Sequence, residues 1–267
     1  MKFLKFEGKY FRNLRIFMLM QWYAAKEVFA YRVSASFTMV AVAFGPLINV
    51  VFITVIYSVS SGIGGWSYYQ LLLLSGVASF IIYMAWYFAN PWTLVNLMKQ
   101  GGLDIYLTRP YPPYLSILSL GSIYIASSGF TSIAIIAYAL ANSSISFMPA
   151  IEFFVAIAFG LAAFIAFLLV LTMILYSLFK SARWTQNLMN VLGEFSTYPL
   201  TIYGVMGAFI FSVLAPIGIA TYYPVAIIYG KTGTATFIAI MAFAIVLIVI
   251  FRKLFDIYLK NYTSAIG

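Results

Sequence analysis

Few residues in this chain could carry chemistry. Its 267 residues include no histidine and no cysteine, and only six acids: Glu7, Glu27, Asp104, Glu152, Glu194 and Asp256. Without cysteine there is no disulfide, thiolate metal site or cysteine nucleophile. Without both, zinc and haem centres of the usual kinds lack their ligands, and the commonest general base is missing. The sequence therefore predicts no metal and no catalytic residue. Serines are many, but no lysine stands inside an apolar run to activate one. Ion-coupled transporters carry ionisable residues within their spans. Here none of the acids falls at the centre of an apolar run; Glu194 is expected just before one and Glu152 at the end of another. Gly230-Lys231-Thr232 resembles the tail of a phosphate-binding loop, but that loop needs a glycine five positions before the second one, and Val225 stands there. No nucleotide or other cofactor is expected in this chain.

The elements that must position these residues are apolar. Hydrophobic residues make up 64% of the chain and charged ones 8%, against roughly a quarter charged in a soluble domain. Lipid must be the solvent for most of this surface. The net charge of +9 does not point to nucleic acid, because no basic domain stands apart from the apolar runs. Basic residues flanking spans and holding them to the cytoplasmic face explain it better.

About 20 apolar residues cross a bilayer as a helix. The charge-free intervals and the turn SGIGGWS at 61–67 predict an all-α polytopic protein with six spans, near 34–58, 68–89, 115–141, 153–179, 200–220 and 234–251. Asn90-Pro91 is expected to end or kink the second. With the N-terminus inside, fourteen of the fifteen Lys and Arg residues fall on cytoplasmic segments and only Lys231 outside. That asymmetry places both termini in the cytoplasm. No secretory signal is expected from the charge-studded start MKFLKFEGKYFRNLR.

Two further segments do not read as crossings. Residues 1–32 mix aromatic and basic side chains, as an interfacial helix does; a simple membrane anchor fits equally. Residues 216–230 are apolar but interrupted by Gly218 and Pro224, which reads as an external interfacial or re-entrant cap. A fifth span kinked at Pro216 is the alternative.

The segment NLMKQGGLDIYLTRPYPPYLSIL between the second and third spans carries the strongest local pattern. Gly101-Gly102 should break the helix, Leu103, Asp104, Ile105, Tyr106 and Leu107 should form a short amphipathic turn, and Arg109 with Pro110, Pro112 and Pro113 should redirect the chain. It reads either as a stiff loop with ordinary inside-positive charge or as a rigid docking knob for a cytoplasmic partner.

The pattern Gly102, Leu103, Asp104, Leu107, Arg109, Pro110 resembles the permeases of type-two ATP-binding-cassette (ABC) exporters, in particular six-span permeases of about 260 residues. Thr108 stands where a second apolar residue is common. The stretch Phe195–Tyr203, with Tyr198, Pro199 and Tyr203, resembles that family's approach to the fifth span. Ala215-Pro216 and Tyr222-Tyr223-Pro224-Val225 through Gly230 resemble its external segment before the sixth. The three patches follow in order along nearly the whole chain.

The resemblance implies a permease of a prokaryotic plasma (inner) membrane, paired with a second permease chain, identical or related. Each half would dock a cytoplasmic ABC ATPase subunit, which would hold the ATP and Mg. The loop Gly101–Pro110 would couple to that subunit, 216–230 would form re-entrant helices at the external mouth, and Glu194, Tyr198, Pro199 and Tyr203 would lie near the pathway or a gate. The expected cargo is hydrophobic or amphipathic: a drug, lipid or peptide. A stand-alone secondary transporter or channel, a lipid-modifying membrane enzyme and a membrane scaffold are the rival readings.

Overall fold

The computed structural model describes residues 9–260 apart from 31, 61, 110 and 120. Residues 1–8 of the N-terminal segment and Pro110 of the loop lie outside that set. Thirteen α-helices are described: α1 (Lys9–Ala30), α2 (Arg32–Val59), α3 (Tyr68–Phe88), α4 (Pro91–Lys99), α5 (Leu103–Leu107), α6 (Pro113–Leu118), α7 (Ile123–Ala141), α8 (Phe147–Phe179), α9 (Arg183–Ser196), α10 (Gly204–Phe209), α11 (Ile217–Ala220), α12 (Tyr222–Ile228) and α13 (Thr234–Lys260). A 3-10 turn (Leu200–Tyr203) precedes α10 and a π turn (Ile210–Leu214) follows it. The only strand-like pairing among the described residues is one bridge between Ile63 and Trp66. Five helices are long and apolar enough to cross a membrane, and a bent pair supplies up to a sixth. The protein is an all-α polytopic membrane protein.

Its centre is the rod formed by α3 and α4. Pro91 bends it without ending it, since Asn90 caps the new turn by accepting from the amides of Trp92 and Thr93, and the whole runs from Tyr68 to Lys99. Leu71, Leu73, Leu74, Val77 and Ile81 are fully buried along it. It packs most heavily against α7, while α8 pairs with α13 and α2 lies on the outer side of α7. Gly76 lets α7 close on the rod, with Ile135 and Ile136 filling the space a Cβ would need.

The seam between α2 and α7 has a specific cause. Pro46 sits inside α2 and cannot donate to the carbonyl of Val42. The Ser128 hydroxyl of α7 donates to that carbonyl at 2.5 Å, and Ser127 donates to Met39 at 2.9 Å. Ser128→Ala should cost about 1 kcal/mol. In a Pro46→Ala background the restored amide satisfies Val42, so the same change should cost almost nothing. Reversible unfolding in mixed micelles across the double-mutant cycle checks this; equal costs in both backgrounds would sink the account.

One end of the bundle gathers the starts of α2, α7 and α9 and the ends of α4, α8 and α13. It carries Lys99, Lys180, Arg183, Arg252, Lys253 and Lys260, and is called the basic end below. The turn 62–67, the 142–146 turn and residues 217–231 meet at the other end, where Trp66 packs on Tyr222 and Tyr229 bonds Ser143.

Two expected spans are corrected. The third does not begin at Leu115: α6 ends at Leu118, and α7 starts at Ile123. Gly121 is pressed so close to the Tyr87 carbonyl that no side chain fits there. The fifth is not a helix from Leu200 to Ala220. Instead α9 and the 200–214 stretch form a pair bent by 106°, and Ile217–Ala220 is a separate short helix.

Candidate functional site

The rod ends at the basic end in the loop singled out by sequence. Gly101 adopts φ +67, a left-handed turn suited to glycine, and reverses the chain off α4. The one-and-a-half turns of α5 follow. Leu103 is fully buried beneath them, Leu107 is half-buried against the core, and Ile105 is 60% exposed at the tip. Asp104 lies in the first turn of α5, where a carboxylate suits the unpaired amides. The Thr108 hydroxyl donates to the carbonyls of Asp104 and Ile105 and stops the helix. Arg109 lies over the Tyr106 ring, 4.6 Å from its centroid.

Two neighbours clamp this loop. Tyr111 is buried, and its hydroxyl donates to the Asn13 carbonyl of α1 at 3.3 Å. Burial pushes its phenol above the ordinary value of 10.0, and Tyr114 adds to the shift. Tyr114 in turn lies under the Arg252 guanidinium of α13, 3.8 Å away, while Arg252 also meets Asp256. Further bonds hold α1 to the body: Tyr87 donates to Gln21, and Phe17 stacks on Phe88. The loop is therefore tied to α1, α4 and α13 at once.

At the opposite end, Pro216 starts α11, and α11 and α12 are buried almost throughout. Ala220 of α11 sits directly on Gly160 of α8. Tyr222 packs on Trp66 and Tyr223 accepts from Ser212; Pro224 is buried within α12. Gly230, at φ +64, closes α12: its amide donates to Ile227 and that of Lys231 donates to Ala226, which satisfies the last carbonyls. With 4 and 7 residues, these helices reach about 6 and 10 Å. Neither crosses a bilayer.

The third place lies around α9. Glu194 was expected on the basic side of the fifth span. The structure instead sends α9 inward from the basic end, its 14 residues covering about 21 Å, so that Gly193 lies against Ile82 halfway along the rod. Glu194 then lines a cavity of about 480 Å³ with Gly45 and Asn49 from the middle of α2 and Ser79, Tyr83 and Trp86 from α3. A Cβ at Gly45 would meet the far end of the Tyr83 side chain, so the glycine leaves the Tyr83 hydroxyl its present place. The polar residues of α9 recur at helical spacing, with Asn187, Asn190 and Glu194 all exposed on one stripe. That spacing was visible in the sequence; what concealed it was that α9 is too polar to register as part of a crossing.

Tyr198, Pro199 and Tyr203 do not line this cavity. They build the bend above it. Pro199 starts the 3-10 turn, and the Tyr203 hydroxyl donates to the Phe195 carbonyl at 3.0 Å. Phe195, Tyr203 and Phe211 form a triangle of rings with centroids 5.3–5.4 Å apart. Glu194 thus lines the cavity, while Tyr198, Pro199 and Tyr203 lie at the bend. Among the described residues no group of three or more metal-ligating side chains occurs.

Residues 44–266 match the profile of the ABC-2 family transporter proteins. The chain belongs to that family. The match begins within α2 and takes in the clamped loop, the cavity and α11–α12. No curated protein and no solved structure shows a significant match. The ABC-2 family places this chain as the membrane component of an ABC transporter, a component that is not itself the catalyst.

Proposed function

We propose that this ABC-2 chain is a permease subunit of an ATP-driven exporter in a prokaryotic plasma membrane, with its basic end in the cytoplasm. The observation that supports this reading is mechanical. The clamped loop sits on the end of the same rod whose middle lines the cavity. ATP binding closes the partner ATPases, which hold the nucleotide and Mg, and α5 moves with them. The motion passes along α4 into α3 and, through Tyr111, into α1.

A second permease chain completes the path. Only 11% of the α2 span is buried within one chain, and the polar stripe of α9 is open beside it. A polar stripe facing lipid at this depth is costly, so a facing chain and an aqueous path between the two suit it. The cargo is amphipathic, matched to a cavity with both polar and apolar walls.

The test is reconstitution with the partner ATPase. Asp104→Ala with Arg109→Ala should cut cargo-stimulated ATP hydrolysis by about ten-fold while the permease stays folded and dimeric. Full coupling in the double variant would overturn the docking role. One observation favours a second reading, an ion-coupled secondary transporter: Glu194 lies at mid-depth, and such carboxylates serve as ion or proton sites. Gradient-driven flux by the chain alone, without any ATPase, would decide for it.

A further inference from the structure

We propose that the cavity between α2, α3 and α9 binds a singly charged organic cation, with Glu194 as its counter-ion and the rings of Trp86 and Tyr83 as its apolar seat. This rests on reading the chain as a permease and specifies what the path accepts. Of the acids whose side chains are described, Glu194 is the one placed against the middle of the bundle. Asp104 and Asp256 are at the basic end and Glu152 is in the first turns of α8.

A carboxylate at this depth is stabilised by water in a path or by a cation that meets it. No described side chain pairs with that of Glu194, and the basic residues gather at the ends of the bundle. The positive partner therefore comes from outside the fold.

The remaining walls define the class of that partner. Trp86 and Tyr83 offer aromatic rings, which attract cations most strongly where water is thinned. Asn49, Ser79, Asn190 and Thr197 supply hydrogen-bonding groups, and Ala78, Ile82, Ile125 and Met189 supply apolar contact. A volume of about 480 Å³ is that of a small-molecule site. It is far larger than a bare sodium or potassium ion needs, and one carboxylate neutralises one charge. An anion of the same shape would be repelled.

The experiment uses the full chain in phosphatidylcholine nanodiscs, with tetraphenylphosphonium as the cation and tetraphenylborate as its anionic counterpart of similar shape. Binding is measured against empty discs of the same lipid, so partition into lipid cancels. Saturable cation binding is expected, weakened by about ten-fold or more in Glu194→Gln and kept within a few-fold in Glu194→Asp. Trp86→Leu should weaken it independently, which covers the case in which Glu194→Gln does not fold. Glu152→Gln should change nothing. Unchanged cation affinity in Glu194→Gln or in Trp86→Leu, or equally tight saturable binding of tetraphenylborate, would overturn the proposal. No ATP or ATPase is present, so the outcome is separate from the coupling test. Coupling without cation binding would sink this site alone, and Glu194-dependent binding without coupling would sink the exporter reading alone.

Discussion

Gly160→Val is expected to destabilise the protein by about 3 kcal/mol. A Cβ at 160 would lie 2.6 Å from the Ala220 Cα and 3.1 Å from the Ile219 carbonyl oxygen. Both are backbone atoms, so no rotamer change relieves the clash. The neighbouring side chains leave no room for α11 to retreat either: Ile217, Ile219 and Ala220 are all buried. The valine therefore lifts α11 and α12 from α8 and opens the end of the bundle where Trp66 meets Tyr222. Thermal unfolding in detergent reads the stability, and faster amide exchange at 217–228 reads the lifting. Gly233→Ala serves as the comparison, because a Cβ there meets nothing within 4 Å, and it should stay within about 0.5 kcal/mol of the parent. A Gly160→Val protein as stable as the parent would show that α11 is not seated on α8.

Leu103→Ala should have the largest functional effect. Leu103 is fully buried under α5, and truncating a buried leucine costs about 2–5 kcal/mol. That cost falls on a loop anchored at few points, so the spans stay assembled while α5 loosens on the end of α4. A loose knob absorbs motion instead of passing it on. ATP hydrolysis coupled to cargo should fall by about ten-fold, with the ATPase still bound. Ile105→Ala gives the opposite pattern: its side chain is 60% exposed, so stability should hold while binding of the ATPase weakens. Amide exchange at 103–107 and co-purification of the two subunits separate these outcomes. If Leu103→Ala keeps full coupling, rigidity of the knob is not what transmits the stroke.

The loop was legible because local rules decide it. Gly101 is followed by a helix too short to do anything but cap a turn, and Thr108 closes it through its own hydroxyl. The buried segment before the last span was legible for the same reason, since Pro216 and Gly230 mark its limits and the residues between are mostly apolar. The fifth crossing was not legible. Apolar run-length favoured 200–220 and passed over α9, whose polar residues look like a loop when counted one by one. The fault lay in averaging: Asn187, Asn190 and Glu194 share one side of the helix, and buried Met189 and Leu192 hold the other to the bundle. Nor does run-length register Gly121, where contact with the Tyr87 backbone forces the break ahead of α7.

The sequence by itself determined that this chain lives in lipid, that its helices are many, and that one loop among its basic residues is stiff. Those follow from composition, spacing and turn chemistry, which act within a few residues. Only the tertiary structure decided that the loop is clamped by Asn13 and Arg252, partners about a hundred residues or more away along the chain. It alone brought Glu194 beside Asn49, Tyr83 and Trp86. Both depend on which helix faces lie together, and that is settled by packing of the whole bundle, where close approach at Gly45, Gly76 and Gly160 selects the neighbours.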